Sequence, residues 1–417
     1  MTDKRGWMVV FSGTGLNLAL GVLYAWSIFS KQFCESVEKG GFGWTKTQAT
    51  LPYTIAIACF AIMMVPAGRL QDKFGPRIVA TAGAILTGLG IFITSFASPE
   101  KLFPALIGFG VIAGTGIGLG YASAMPASVK WFPPEKKGLI TGLVVSGFGL
   151  APVYIAPLSK YLLAQYGINN SFMILGIAFT CFTIILTQFI RNPQTPVRSL
   201  KPATAQNSGK VDFTWREMVR TPKFYILYIE YICVAIAGLM IIGHLAKIVA
   251  VQSDNAITIG FIFVAILAIF NAAGRIVAGI VSDYIGRVMT LSLVCLCQAI
   301  IMFFFSQFST VFAFLMGSAM VGFNYGACLA LFPATTADYW GTKNLGLNYG
   351  IVFTAWGVGG VFGPILAGKI ADMSGSYTMA YYISATLLIL AVILTFVTYL
   401  WISPGILSRR QKIISRF

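Results

Sequence analysis

Two stretches decide the fold: Gly68-Arg-Leu-Gln-Asp72-Lys-Phe-Gly75-Pro-Arg77 and Gly279-Ile-Val-Ser-Asp283-Tyr-Ile-Gly286-Arg287. Each closes one long apolar run and opens the next, and the two lie 211 residues apart. Gly75 and Gly286 supply the positive φ that a tight turn needs. Either copy alone reads as a surface turn, whereas two copies in register read as an internal repeat. Trp131-Phe132 against Tyr339-Trp340, and Gly138 against Gly346, keep an offset of 208. Gly147, Gly149 and Pro152 likewise answer Gly357, Gly359 and Pro364.

Composition says what kind of unit is repeated. Of 417 residues, 57% are hydrophobic and 10% are charged. A soluble domain carries roughly a quarter charged residues. This chain could not cover soluble surfaces, which excludes a soluble enzyme. A membrane-crossing helix needs about 20 apolar residues. Apolar runs fall near 7–30, 48–70, 78–97, 102–129, 138–163 and 171–190. A second six fall near 224–250, 257–281, 288–307, 311–336, 345–371 and 377–401. The first lacks a small-residue cleavage site and reads as a retained helix. Residues 191–223 form the long polar stretch, rich in Pro, Ser and Thr, so we expect three parts: 1–190, a linker 191–223, and 224–417. Within the linker, Thr214 and Glu217 have capping-box spacing, which predicts a short helix over 212–220.

The net charge of +16 comes from 29 Lys and Arg against 13 Asp and Glu. The basic residues sit at the ends of apolar runs without interleaved aromatics, which argues against nucleic acid. Counted by side, 21 fall with the linker and both termini, 7 fall opposite, and Arg275 is left inside a helix. The positive-inside rule then places both termini and the linker in the cytoplasm, with the chain multi-pass in the cell (inner) membrane. Seven cysteines, an odd number mostly inside apolar runs, and a single histidine give neither a disulfide framework nor a metal site. No cofactor is implied. An integral-membrane enzyme would need clustered His or paired carboxylates, so the reading is not an enzyme.

Two six-helix repeats joined by a linker form a transporter plan. With its paired G-x-x-x-D-x-x-G loops, the chain resembles the major facilitator superfamily over essentially its whole length. The resemblance implies an all-α integral membrane fold, with 12 transmembrane helices in two pseudo-symmetric six-helix halves. It implies a monomer in the lipid bilayer working by alternating access. It also implies that the loops are gating latches built from Asp72, Arg77, Asp283 and Arg287. Asp72 can pair with Arg77 or face the positive N-terminus of a neighbouring helix.

An ionisable side chain centred in a membrane helix costs about 2.5–3.5 kcal/mol even on the mildest scale. Arg275 stands eight residues before Asp283, which is roughly 12 Å of helix and close to mid-bilayer. Asn271 is one turn earlier on the same face. A guanidinium beside an amide is a ready carboxylate clamp. The competing reading is an internal ion pair with Glu230, at similar depth. Gly114, Gly116, Gly118 and Gly120 read as close helix packing, since no strand precedes them to make a phosphate loop.

Asn271-Ala-Ala-Gly-Arg275 resembles helix 8 of the oxalate/formate antiporters and of the proton-linked monocarboxylate transporters. Gly21-Val-Leu-Tyr24-Ala-Trp26 resembles helix 1 of the antiporters. Gly40-Gly-Phe-Gly-Trp44 resembles a monocarboxylate-family mark, though it falls after helix 1 rather than before it. Trp131-Phe132, Gly138-Leu139, Gly142 and Ser146-Gly147 resemble that family's helix-4/5 mark. The antiporters carry a second intramembrane cation, a lysine on helix 11 after an Asn-Tyr-Gly start. Here Asn348-Tyr349-Gly350 is present, but the lysine position is Trp356. One cation suits a monoanion better than a dianion. Animal monocarboxylate transporters have an Asp one turn before the helix-8 Arg and a Lys in helix 1; here those places hold Asn271 and Ile28. Tyr24, Tyr121 and Tyr325 fall mid-helix in helices that line the cavity of this superfamily. Tyr121 and Tyr325 match aromatic cavity positions in the antiporters, and Phe353 is a further wall residue. His244, whose side-chain class titrates near neutrality, and Glu230 are the proton-coupling candidates. The sequence thus predicts a secondary active transporter of small monocarboxylates, lactate- or pyruvate-like, by proton symport. Carboxylate/carboxylate exchange is the alternative.

Overall fold

The computed structural model describes residues 4–193, 212–254, 256–257 and 259–402. The middle of the expected linker, and the basic tail with Arg409, Arg410, Lys412 and Arg416, lie outside the described residues. Among the described residues regular structure is helical, apart from one isolated bridge between Ser98 and Lys101. We label the membrane-length helices α1 (Lys4–Cys34), α2 (Lys46–Phe74), α3 (Pro76–Thr94) and α4 (Phe103–Val129). Next come α5 and α6, which share Lys137–Thr187. The rest are α7 (Pro222–Ile242), α8 (Gly260–Ile285), α9 (Arg287–Phe304), α10 (Val311–Trp340), α11 (Leu345–Ser374) and α12 (Thr378–Ile402).

Lys137–Thr187 is 51 residues long, too long for one crossing at about 20 residues each. The chain turns within it at Gly167, whose φ of 70° takes one residue out of the helix. Residues 164–170 were expected to be a loop; the turn needs only this glycine, because glycine reaches positive φ without steric cost. Two further expected single helices are interrupted. A 3₁₀ turn at Gly21–Ala25 breaks α1. A break at Gly243 and His244 separates α7 from a continuation, Leu245–Gln252. The predicted linker helix is present as Trp215–Met218, closed by a reciprocal Thr214–Glu217 capping box.

The first six helices meet the last six at α2 against α11 and at α5 against α8. At the basic end both contacts are backbone to backbone. A Cβ on Gly68 would run into the Gly346 carbonyl, and one on Gly279 into the Gly138 carbonyl. The repeat seen in sequence therefore becomes a pair of matching glycine contacts.

Each contact is pinned by an aspartate on a helix N-terminus, where unsatisfied amides and the helix dipole favour an anion. Asp72 accepts from the Leu347 amide at the start of α11, at 3.1 Å. Asp283 accepts from the Gly138 and Leu139 amides at the start of α5, both at 2.9 Å. Of the two sequence alternatives for Asp72, the structure takes the helix terminus. Arg77 instead turns outward and donates to the Gln188 side chain. Arg287 stays in its latch, 2.7 Å from Asp283 and 2.9 Å from Asp338, and Lys137 closes the network on Asp338 at 3.1 Å.

The two latches are therefore unequal. Removing one partner of a buried hydrogen-bonded ion pair costs about 3–5 kcal/mol. Asp283→Ala is expected to lower the thermal unfolding midpoint in detergent clearly more than Asp72→Ala, whose nearest cation, Lys130, is 3.7 Å away. Equal shifts would contradict this asymmetry.

Candidate functional site

Arg275 lies on α8 and is 1% exposed. Its Nε donates to Asn271 Oδ1 at 2.9 Å, the neighbour that helical spacing predicts. Its Nη1 donates to the Val145 carbonyl of α5. A carbonyl has two lone pairs, so Val145 can serve both its own helix and the guanidinium. The Tyr24 hydroxyl of α1 also faces the guanidinium. No carboxylate stands within ion-pair distance of Arg275 among the described residues. The alternative of an Arg275–Glu230 pair is thus not what the structure forms. Glu230 is buried within the last six helices, beside a small cavity between α7, α9, α10 and α12.

α5 comes this close because of Gly149. A Cβ there would sit 2.6 Å from Asn271 Oδ1 and 3.1 Å from Arg275 Nε.

Aromatic rings surround the guanidinium's neighbourhood. Tyr121 packs edge-on against Phe60 and Phe148, with centroids 5.5 Å apart in both pairs. Phe353 lies 5.5 Å from Tyr121 and stacks on Trp356 at 5.0 Å and 23°. Trp356 Nε1 donates to the Tyr325 hydroxyl at 2.7 Å. Tyr24 packs edge-on against Phe148 at 5.4 Å. The structure therefore brings Arg275, Asn271, Tyr24, Tyr121, Tyr325 and Phe353 into one neighbourhood. It adds Phe60, Phe148, Trp356, Tyr231, Tyr349 and the Val145 carbonyl, which the sequence reading did not assign to the site. Tyr231 and Tyr349 place buried hydroxyls beside each other but outside hydrogen-bond geometry. The signal for these was aromatic residues at mid-depth of α2, α5, α7 and α11, which sequence alone does not distinguish from ordinary packing.

His244 stands apart from this neighbourhood, at the break after α7. Its Nε2 is 3.0 Å from the Pro364 carbonyl of α11, and its ring lies 5.6 Å from the Tyr377 ring.

The arrangement offers one delocalised cation with a carboxylate-matching fork, phenol and amide groups around it, and aromatic walls that exclude water. A single full charge compensates a single full charge. Among the described residues no cluster of three metal-ligating side chains occurs.

Among the described residues, eleven spans of membrane-crossing length, one of them folded in two at Gly167, surround a polar centre and carry an internal repeat, as in a multi-pass membrane transporter. The sequence profile of the Major Facilitator Superfamily matches residues 6–305 and 250–412, and the chain belongs to that family. It is 29% identical over 402 residues to the oxalate:formate antiporter of Oxalobacter formigenes, covering 95% of this chain and 92% of that protein. It is 28% identical over 370 residues to monocarboxylate transporter 12 of Xenopus laevis, covering 81% of this chain and 77% of that one. In fold it is similar to the crystal structure of FucP, a Major Facilitator Superfamily transporter in the outward conformation. That match has a TM-score of 0.71 at 16% identity over 94% of this chain and 99% of FucP. The protein is thus a transporter, not an enzyme, related to both the monocarboxylate transporters and the oxalate:formate antiporter.

Overpacking a tight contact costs about 1–3 kcal/mol. Gly149→Ala is accordingly expected to push α5 off the Arg275–Asn271 pair and lower the unfolding midpoint measured by scanning fluorimetry. An unchanged midpoint would mean that the helices part without strain.

Proposed function

We propose that the protein is a secondary active transporter of small monocarboxylates of the lactate or pyruvate kind. On this reading the anion binds at Arg275, between the two sets of six helices, which rock around it. The observation that carries the reading is a buried guanidinium held, among the described residues, by neutral groups. Asn271, the Val145 carbonyl and Tyr24 solvate it without cancelling its charge, so a carboxylate can complete the pair. Trp356, stacked on Phe353 and bonded to Tyr325, fills the place where the antiporters carry a second cation. This favours monoanions over oxalate. The apolar walls suit a short hydrocarbon tail, and Tyr121 and Tyr325 are the hydroxyls nearest in kind to a 2-hydroxy or 2-oxo group. The protein would work as a monomer in the cell (inner) membrane, its basic end and termini in the cytoplasm.

Proton symport fits the energetics. A lone anion entering a negative interior works against about 2.3 kcal/mol per 100 mV, and a proton carried with it cancels that charge. Carboxylate exchange is a second reading. It is favoured by one observation: neither Glu230 nor His244 touches Arg275. Counterflow at symmetric pH, compared with uptake under an inward acid gradient, separates the two.

Arg275→Ala is expected to abolish uptake of radiolabelled lactate and pyruvate by proteoliposomes while the protein stays folded. Arg275→Lys should restore little, because lysine keeps the charge but loses the fork. Near-normal uptake by the alanine variant would remove Arg275 from the site. Oxalate should compete weakly against the labelled monoanion, and Trp356→Lys should strengthen its competition. Wild-type protein that binds oxalate as tightly as lactate would contradict the charge-matching argument.

A further inference from the structure

Glu230 is 2% exposed, and its Oε1 has no hydrogen-bond partner. It lines a small, partly open cavity together with Lys223, Thr335, Tyr339, Thr395 and Thr398. The space open to the centre of a water-sized guest is about 10 Å³, close to the minimum for one water. The three threonines donate their hydroxyl protons to carbonyls of their own helices: Leu331 at 2.8 Å, Ala391 at 2.6 Å and Leu394 at 3.1 Å. Their oxygens keep only lone pairs to offer. The three threonines thus offer acceptors to this cavity, and a neutral carboxyl can donate to an acceptor where an ionised one cannot.

The groups facing Glu230 do not supply a fixed counter-charge. From its own helix come Lys223 and the Cys233 thiol; from α9, the Cys295 thiol; from α10, the Tyr339 phenol; from α12, only hydroxyls. Lys223 makes no ion pair with Glu230, and its ammonium lies over the Tyr339 ring, 5.5 Å from the centroid. An ionised carboxylate without a partner in a membrane helix is costly. Its loss of a proton would draw Lys223 inward from the start of α7.

Glu230 does not face the substrate site. Its neighbour Tyr231 does: it stacks on Phe332 at 3.9 Å and meets Phe353 edge-on at 6.3 Å. Successive helical residues point about 100° apart, so one turn of α7 presents Tyr231 to the aromatic centre and Glu230 to the cavity behind it.

We infer that Glu230 is a proton-binding site, separate from the Arg275 site and loaded from the basic end past Lys223, and that α7 couples the two. This rests on the monocarboxylate-transport reading above only for its functional consequence. The protonation itself is tested without transport. In full-length wild-type protein in detergent at neutral pH, infrared spectroscopy should show a protonated-carboxyl band that Glu230→Gln removes. In proteoliposomes, the stimulation of labelled pyruvate uptake by an inward acid gradient, relative to counterflow at symmetric pH, should fall about fivefold or more in Glu230→Gln, in the range of ordinary coupling energies. Lys223→Gln should slow gradient-driven uptake in the same sense, and it serves as the second variant if Glu230→Gln does not fold. An ionised Glu230 at neutral pH, wild-type stimulation in both variants, or drive by a sodium gradient instead of an acid one would overturn the inference. Wild-type protein that keeps the infrared band yet takes up no candidate acid would count against the transport reading and leave the proton site standing.

Discussion

A guanidinium close to mid-bilayer must be solvated by the protein itself, and the packing of α5 on α8 supplies that solvation. Lipid cannot hydrate it, and among the described residues no acid pairs with it. The Asn271 amide meets Arg275 from one turn earlier on α8, and the Val145 carbonyl meets it because the α5 backbone approaches closely. Two glycines on one face of α5 permit the approach. Gly142 lies against the Arg275 carbonyl, and Gly149 lies against its side chain. Farther along the same helix pair, Gly138 meets Gly279 and Asp283 caps the start of α5. Helix contact, latch and the solvation of the buried guanidinium thus follow from one interface.

The matching interface, α2 on α11, has the same backbone contact and an aspartate cap but no central cation. The difference in the latches has a simple electrostatic origin. At the offset of 208 that relates Trp131 to Tyr339, Lys130 corresponds to Asp338. Asp338 holds Arg287 in place at 2.9 Å. Its counterpart Lys130 would repel Arg77, and Arg77 has turned away to Gln188. Lys130 itself faces Asp72 at 3.7 Å, a weaker version of the pairing that Arg287 makes with Asp283. The repeat therefore preserves geometry while its charges diverge. The bundle is pinned firmly on one seam and loosely on the other.

Much of this was legible in the sequence because it depends on spacing along a helix. Eight residues from Asp283 fixed the depth of Arg275, one turn fixed Asn271 beside it, and the 211-residue shift fixed the paired loops. The capping box at Thr214 and Glu217 was local and readable for the same reason. What could not be read depends on which faces of distant helices meet. Phe60 and Phe148 carry no sequence mark that separates them from the chain's other phenylalanines, yet they wall the centre with Tyr121. A break between 163 and 171 was readable, but not that it would shrink to the single residue Gly167, where only one dihedral pair departs. The sequence left open whether Glu230 pairs with Arg275, since spacing along a helix does not fix azimuth; the structure forms no such pair.

Azimuth also bears on how a proton and an anion can share one carrier. Had Glu230 faced Arg275, the two would have formed a salt bridge, and an incoming carboxylate would have had to displace an existing anion. On the transport reading proposed above, with Glu230 turned behind α7, Arg275 would keep its charge for the anion, and Glu230 makes no ion pair among the described residues. On that reading the loaded centre would hold an arginine with its anion and the cavity behind it a neutral acid, which leaves neither of these two groups with an uncompensated charge. Emptying the central site restores the lone guanidinium. Emptying the cavity creates a carboxylate that Lys223 can approach from the basic end. Either site empty alone leaves a charge imbalance inside the membrane, where such imbalance is most costly. On the inference above, that shared penalty would link two sites that do not touch, with Glu230 and Tyr231 of α7 between them.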